Sequence, residues 1–313
     1  MRKIRTVLLF SFCLIFLNSC NKINKIFKIF EEEDLLERPK AERCSDCHSL
    51  IFKQWQKSRH SKSWISEHFK KSSENYSKVK CLSCHAPYEI EVLEKPEVRD
   101  FHREDGINCV SCHFKDKTKS MHGPYDVFSP PHPSTQDKNY TKSEICAGCH
   151  KETYKQWKNT NSKQTCQNCH MPHKKEKLIQ KFPFDLFHSK KELYDHSTPA
   201  LISKEKDFQI KFKRDEDTLY VYVKNVGVPH NLPTADQGKP KFYIDLIFYK
   251  NGKEVSKDSQ MISFKDRDAF VFNKEKELSF FIFENFDKVK LIISRKLSWE
   301  NKPQKIMELE RTF

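Results

Sequence analysis

The sequence predicts a chain of two unlike parts: a region of short helices and loops without the long apolar elements of a self-made core, followed by a C-terminal antiparallel β-sandwich. Two observations carry this reading. Between residues 44 and 170, five pairs of cysteines sit three positions apart, and from about residue 207 apolar and polar side chains alternate with period two.

Each cysteine pair is followed directly by histidine: Cys44/Cys47/His48, Cys81/Cys84/His85, Cys109/Cys112/His113, Cys146/Cys149/His150 and Cys166/Cys169/His170. That spacing is the c-type haem attachment motif, in which the two thiols form thioethers with the porphyrin and the adjacent imidazole binds the iron. A zinc site, a redox dithiol or a disulfide framework would not require histidine after the second cysteine. Histidine is only 14 of 313 residues, so five such placements are a signal and not chance. Five covalently bound haem c groups are expected. Spread over 127 residues, they must supply most of the apolar core of their region, with neighbouring haems in or near contact.

The N-terminus indicates a compartment where such attachment occurs. Arg2, Lys3 and Arg5 precede an apolar run from Val7 to Leu17 that is too short to span a bilayer and reads as a secretory signal. It ends at Leu17-Asn18-Ser19-Cys20, and Cys20 has the position of a lipoprotein cysteine, although Asn18 fits that pattern loosely. The expectation is an exported lipoprotein on the periplasmic side of a bacterial membrane, either the outer membrane or the outer leaflet of the inner one. Of the twelve cysteines, Cys13 is removed with the signal, Cys20 carries lipid, and the other ten all belong to the five motifs. No thiol remains for structural disulfides.

The formal charge is +14, or +11 once Arg2, Lys3 and Arg5 are removed. Five ferric haems with their propionates lower this to roughly +6, so much of the lysine excess is matched by propionate. Nucleic acid is excluded as a partner by export and haem attachment. Other redox proteins or membrane electron-transfer complexes are the expected partners, and oligomeric state is not legible.

The domains expected are a signal peptide at 1–20, a charged tether at 21–43, a pentahaem cytochrome c domain at 44–200 and a β-sandwich domain at 201–313. In the haem region a weak internal repeat is visible. Cys44–His48 is followed after a short interval by Gln54-Trp55, and Cys146–His150 by Gln156-Trp157. Each copy then reaches a motif ending in a small turn, His85-Ala86-Pro87 or His170-Met171-Pro172, so two di-haem units are expected to flank a central haem at Cys109/Cys112. Beyond residue 207, Phe208/Ile210/Phe212, Leu219/Val221/Val223 and Phe242/Ile244/Leu246/Phe248 give strands, and Asn251-Gly252 gives a hairpin turn. Further runs at Met261–Phe264, Ala269–Phe272, Leu278–Phe283 and Val289–Ile293 bring the expectation to about seven strands.

Nine histidines lie outside the motifs, more than five irons need. A second imidazole is the common sixth ligand of low-potential haems, because two imidazoles hold both iron oxidation states with little rearrangement. His60, in Trp55-Gln-Lys-Ser58-Arg-His60, is the leading candidate, although the repeat has Ser162 at the matching place. His230 follows, in the rigid loop Asn225-Val-Gly-Val-Pro-His230-Asn-Leu-Pro233. His132, in Ser129-Pro-Pro-His132-Pro, and His122, before Gly123-Pro124, are loop candidates near the third haem. His188 completes the set chosen as metal ligands, with His196, His102 and His68 below it.

These residues resemble the multihaem cytochrome c family of the cytochrome c-554/c-prime type, which includes the tetrahaem cytochrome c of ammonia oxidisers and, more distantly, hydroxylamine oxidoreductase. The resemblance rests on Cys44–His48 with Trp55-x-x-Ser58-x-His60, Gly106-Ile-x-Cys109–His113, His122-Gly-Pro-Tyr125 with His132, Cys166–Pro172 and His230-x-x-Pro233-Thr234, over about residues 41–240. It implies an exported pentahaem electron carrier with closely stacked haems and distal ligands at His60, His132 and His230. Two departures stand out. The second copy lacks the histidine after its tryptophan, which leaves the fourth haem's ligation open, and Ala235-Asp236 follows Pro233-Thr234 where the family has glycine.

Electron transfer without catalysis is the leading functional reading, with no catalytic residues assigned. The alternative is a multihaem reductase or oxidase of a small nitrogen or sulfur compound at one haem with an open axial position. Pentahaem nitrite reductases are similar in haem count, but their catalytic motif ends in lysine, whereas all five motifs here end in histidine.

Overall fold

The computed structural model describes residues 33–313 apart from 130, 200 and 266. The signal segment, Cys20 and the first part of the tether lie outside the described residues. Among the described residues no helix is long and apolar enough to cross a membrane.

Among the described residues the N-terminal part holds seven short α-helices: α1 (Ala41–Cys44), α2 (Ser49–Lys57), α3 (Glu67–Ser72), α4 (Val79–His85), α5 (Cys109–His113), α6 (Lys151–Lys158) and α7 (Cys166–His170). The longest has nine residues, well short of what holds a helix together in isolation. Their ends are fixed by side chains. Ser66 accepts from Phe69 N at the start of α3, Asn108 from Ser111 N at α5, and Thr165 forms a capping box with Asn168 at α7. The second, third and fifth motifs lie within α4, α5 and α7. The first and fourth end at His48 and His150, which are the N-cap residues of α2 and α6.

Two small sheets complete this part. Strands β1 (Phe114–Lys115), β2 (Ser120–Gly123) and β3 (Ser134–Gln136) form one, and the ribbon of β4 (His173–Lys177) and β5 (Lys190–Tyr194) forms the other. Buried apolar side chains here, such as Leu35, Phe69, Leu82, Val110, Tyr154 and Leu193, are spread singly along the segment.

The C-terminal part contrasts sharply. Seven strands, β6 (Phe208–Asp215), β7 (Thr218–Asn225), β8 (Lys241–Lys250), β9 (Lys253–Ser263), β10 (Glu275–Phe281), β11 (Lys288–Lys296) and β12 (Gln304–Thr312), form antiparallel sheets in the orders β10-β7-β6 and β12-β11-β8-β9. Alternate residues face inward. Leu219, Val221 and Val223 of β7, Ile244, Leu246 and Phe248 of β8, and Val289, Leu291 and Ile293 of β11 are buried in one shared apolar cluster. Register places Leu246 opposite Leu291 and Leu219 opposite Phe280, so cross-strand pairs stack within the core.

Two strand expectations need correcting. Ala269–Phe272 is not a strand: Phe270 and Phe272 make isolated bridges to Leu232 and Asn225, and the buried Phe270 ring plugs the core from a loop. Gln304–Thr312 forms the edge strand β12, whose charged residues hid its alternation. Lys290 pairs with Glu308 and Lys288 with Glu310 across that edge.

Candidate functional site

The motif histidines are oriented from behind. The Nδ1 atoms of His48, His85 and His113 lie 2.9, 2.7 and 2.7 Å from the carbonyls of Leu178, Ser63 and His122, and His170 is held by the carbonyl of Pro199. A proton donated from Nδ1 leaves the lone pair on Nε2, the atom that meets a metal. His150 differs: its Nδ1 faces the Asp236 carboxylate at 3.7 Å.

In front of four of the five stands a second imidazole. Ring centroids are 6.4 Å apart for His48 and His132, 6.5 Å for His150 and His60, 6.1 Å for His113 and His196, and 6.5 Å for His170 and His230. A metal–imidazole bond of about 2 Å puts the ring centroid about 3.2 Å from the metal, so two rings across one ion stand about 6.3 Å apart. Burial pushes His60, His113 and His230 down to about 4, which keeps their nitrogens neutral and able to ligate. Among the described residues no group of three or more His, Cys, Asp or Glu converges as a bare metal ion would need. Opposed pairs beside a dithiol suit a metal whose other positions are filled by a macrocycle.

The fifth motif histidine by this count is His85. Among the described residues no imidazole stands opposite it at that distance, and its ring instead stacks on Phe69 with centroids 3.6 Å apart.

The imidazoles that stand opposite the motif histidines are held by different devices. His60 sits in a turn shaped by Ser58 and Ser61, and its carbonyl accepts from Ile107 N at 3.0 Å. Gly106 makes that approach feasible, since a Cβ there would lie 2.5 Å from the His60 carbonyl and the backbone has φ +60°. The His230 loop is tied by buried Asn225, whose amide donates to the carbonyls of Val228 and His230 at 2.9 Å. His196 hangs from Gln54, whose Oε1 accepts its backbone N–H at 3.2 Å.

The repeated Gln-Trp pair acts alike in both copies. Trp55 Nε1 donates to the Ile107 carbonyl and Trp157 Nε1 to the Gln164 carbonyl, each at 2.8 Å and each two residues before the next cysteine. Gln54 holds the backbone of His196, and Gln156 accepts from Asn231 N and Thr234 Oγ1 in the His230 loop. Glutamine thus ties down the distal segment and tryptophan the motif that faces it.

This pairing corrects the expected repeat. The Cys44 thiol lies against Cys109 and Cys146 against Cys166, so the spatial units are motifs one with three and four with five. The second motif is the inserted one, and its Cys84 lies against Cys149 of the fourth.

Other expectations also change. His132 faces the first motif, not the third. His122 does not face any motif histidine: its Nε2 lies 2.8 Å from Thr118 Oγ1 and its Nδ1 3.3 Å from Asp137, and it serves the third motif through its carbonyl. His188 closes the turn Phe184–Phe187 near His48 without standing across from it. His196, ranked below these in the sequence, takes the place expected of His122; its only signal is a contact with Gln54 that no local pattern reveals. At the fourth motif, whose copy has Ser162 in place of a histidine, the imidazole opposite His150 is that of His60, from the first copy.

The model of the family "Cytochrome c554 and c-prime" matches residues 43–114 and 145–214, two segments that contain all five motifs. The chain belongs to the multihaem cytochromes c. A solved structure similar to this cytochrome is a penta-heme cytochrome c552 from Thermochromatium tepidum, 17% identical over 89% of this chain and 100% of that one, with a TM-score of 0.62. No curated protein matches. The cofactor of this cytochrome is covalently bound haem c, and the opposed imidazoles beside cysteine pairs fit its iron and thioether chemistry. At the coarse level this fixes its work as electron transfer.

Proposed function

We propose that this cytochrome is an exported, lipid-anchored electron carrier with five haems, four of them ligated by two histidines. The observation that carries this is the set of four imidazole pairs at 6.1–6.5 Å. Bound haem supplies one-electron iron chemistry. The chain's part is to attach and orient: the ten motif cysteines bind, His48/His132, His150/His60, His113/His196 and His170/His230 ligate in pairs, and backbone carbonyls set the tautomer of four of the motif histidines.

Contacts between cysteines of different motifs support haems lying close enough for electron passage from one to the next. The shared core of the two C-terminal sheets supports reading them as a β-sandwich, which carries His230 to the fifth haem and closes that end. The basic start of the chain, its short apolar run and Cys20 support export and a lipid anchor. Such an anchor keeps the carrier beside membrane redox partners.

One observation favours a second reading. Among the described residues His85 has no imidazole opposite it, which suits an open axial position at the second motif and hence chemistry on a small nitrogen or sulfur compound. Electron paramagnetic resonance of the oxidised protein, with intact mass confirming five haems, separates the readings. Four low-spin ferric signals and one high-spin signal unmoved by nitrite, hydroxylamine or sulfite are expected for the carrier. A high-spin signal that shifts with one of these compounds establishes the second reading, and fewer than four low-spin signals overturns the proposed ligation.

A further inference from the structure

Among the described residues Asp236 stands apart as a carboxylate behind a motif histidine. The other motif histidines have neutral carbonyls behind them, whereas His150 faces this carboxylate. The carboxylate is held in place from the helix that follows the fourth motif: Oδ1 accepts from Glu152 N at 2.5 Å, and Oδ2 accepts from Thr153 Oγ1 at 3.2 Å. Thr153 is in turn 2.9 Å from Thr234 Oγ1, and Thr234 donates to Gln156 Oε1 at 2.8 Å. The loop carrying Asp236 is therefore docked on α6 at several points, and the 3.7 Å gap to His150 Nδ1 lies within ion-pair range, about one small side-chain movement from a hydrogen bond.

We propose that Asp236 is a positioning residue that tunes the fourth haem electrostatically, holding its reduction potential below the value it would have with a neutral partner behind His150. This rests on the reading that His150 ligates the iron bound at Cys146 and Cys149. A carboxylate behind a ligating imidazole raises the basicity of the ligand and places a negative charge near the metal. Both effects favour ferric over ferrous iron, which carries one positive charge fewer after accepting an electron. The fourth motif touches the second, through Cys84 and Cys149, and the fifth, through Cys146 and Cys166, so a change in its potential would be felt between those two neighbours.

The test is a mediated redox titration of the full-length holoprotein carrying Asp236→Asn, followed by visible absorption and by electron paramagnetic resonance. One of five one-electron steps is expected to move upward by the equivalent of about tenfold in the ferrous-to-ferric ratio, about 59 mV, with the low-spin signal of one haem altered and Asp236→Glu restoring both. Asp236→Ser keeps an oxygen to accept from Glu152 N, so a purely structural cap leaves its potentials at the native values. If Asp236→Asn gives no holoprotein, Asp236→Ser carries the same expectation. Unchanged midpoints in either neutral variant, or a common shift of all five, overturn the proposal. The parent reading fails separately, if His150→Ala retains every low-spin signal of the native protein.

Discussion

Arg99 is fully buried and donates to the carbonyls of Pro87, Phe101, His102 and Gly106 and to the side chains of Asn108 and Ser111, at 2.6–3.1 Å. These acceptors run from just after the second motif into the third, where Ser111 lies, so one guanidinium joins the two. Arg99→Met leaves several of them without a donor and is expected to lower stability by at least about 3 kcal/mol, measured by denaturant unfolding of the holoprotein. On the proposed ligation, His60→Ala removes one low-spin signal, that of the fourth haem. His122→Ala leaves all of them in place, because the third motif uses only the His122 carbonyl. At this scale the motif histidines were readable because spacing alone defines them, and His230 because prolines and Asn225 stiffen its loop. His196 was not, since its place depends on Gln54, 142 residues away.

Among elements, α2 and α6 have the same role twice. Each begins at a motif histidine and carries the Gln-Trp pair that joins a distal segment to the next motif. Gln54→Ala is expected to broaden or lose the low-spin signal of the third haem and leave the fifth unchanged. Gln156→Ala is expected to do the reverse, and the two single variants read in parallel check the assignment. The repeat could be seen in the sequence, but not its pairing. Chain order suggested that the first motif partners the second, whereas the Trp55 hydrogen bond reaches past it to Ile107. The strands of the C-terminal part were legible wherever one face is apolar, as in β7, β8 and β11. They were illegible at β12, an edge strand whose outward charges pair with β11 and obscure its period.

Across the whole molecule the two parts differ in where their apolar interior comes from. The C-terminal sheets share a continuous core from Phe208 to Met307, while the buried apolar side chains of the helical part are scattered. A chain with all ten motif cysteines replaced by serine, which cannot hold haem covalently, is therefore expected to keep slow hydrogen exchange in β7, β8 and β11 and to lose it in α2, α4 and α6. That asymmetry is also why the helical part could be placed only by its motifs: its scattered buried side chains follow neither a helical nor a strand period.

The crossing of His60 to the fourth motif carries a consequence for maturation. Synthesis runs from the N-terminus, so when His48, His113 and His170 emerge their opposite imidazoles, His132, His196 and His230, are still to come. Only His150 finds its counterpart already present. On the proposed ligation, the fourth iron is the one that can close both axial bonds as soon as it is attached, and a chain ending at residue 206 should leave the fifth alone newly one-sided.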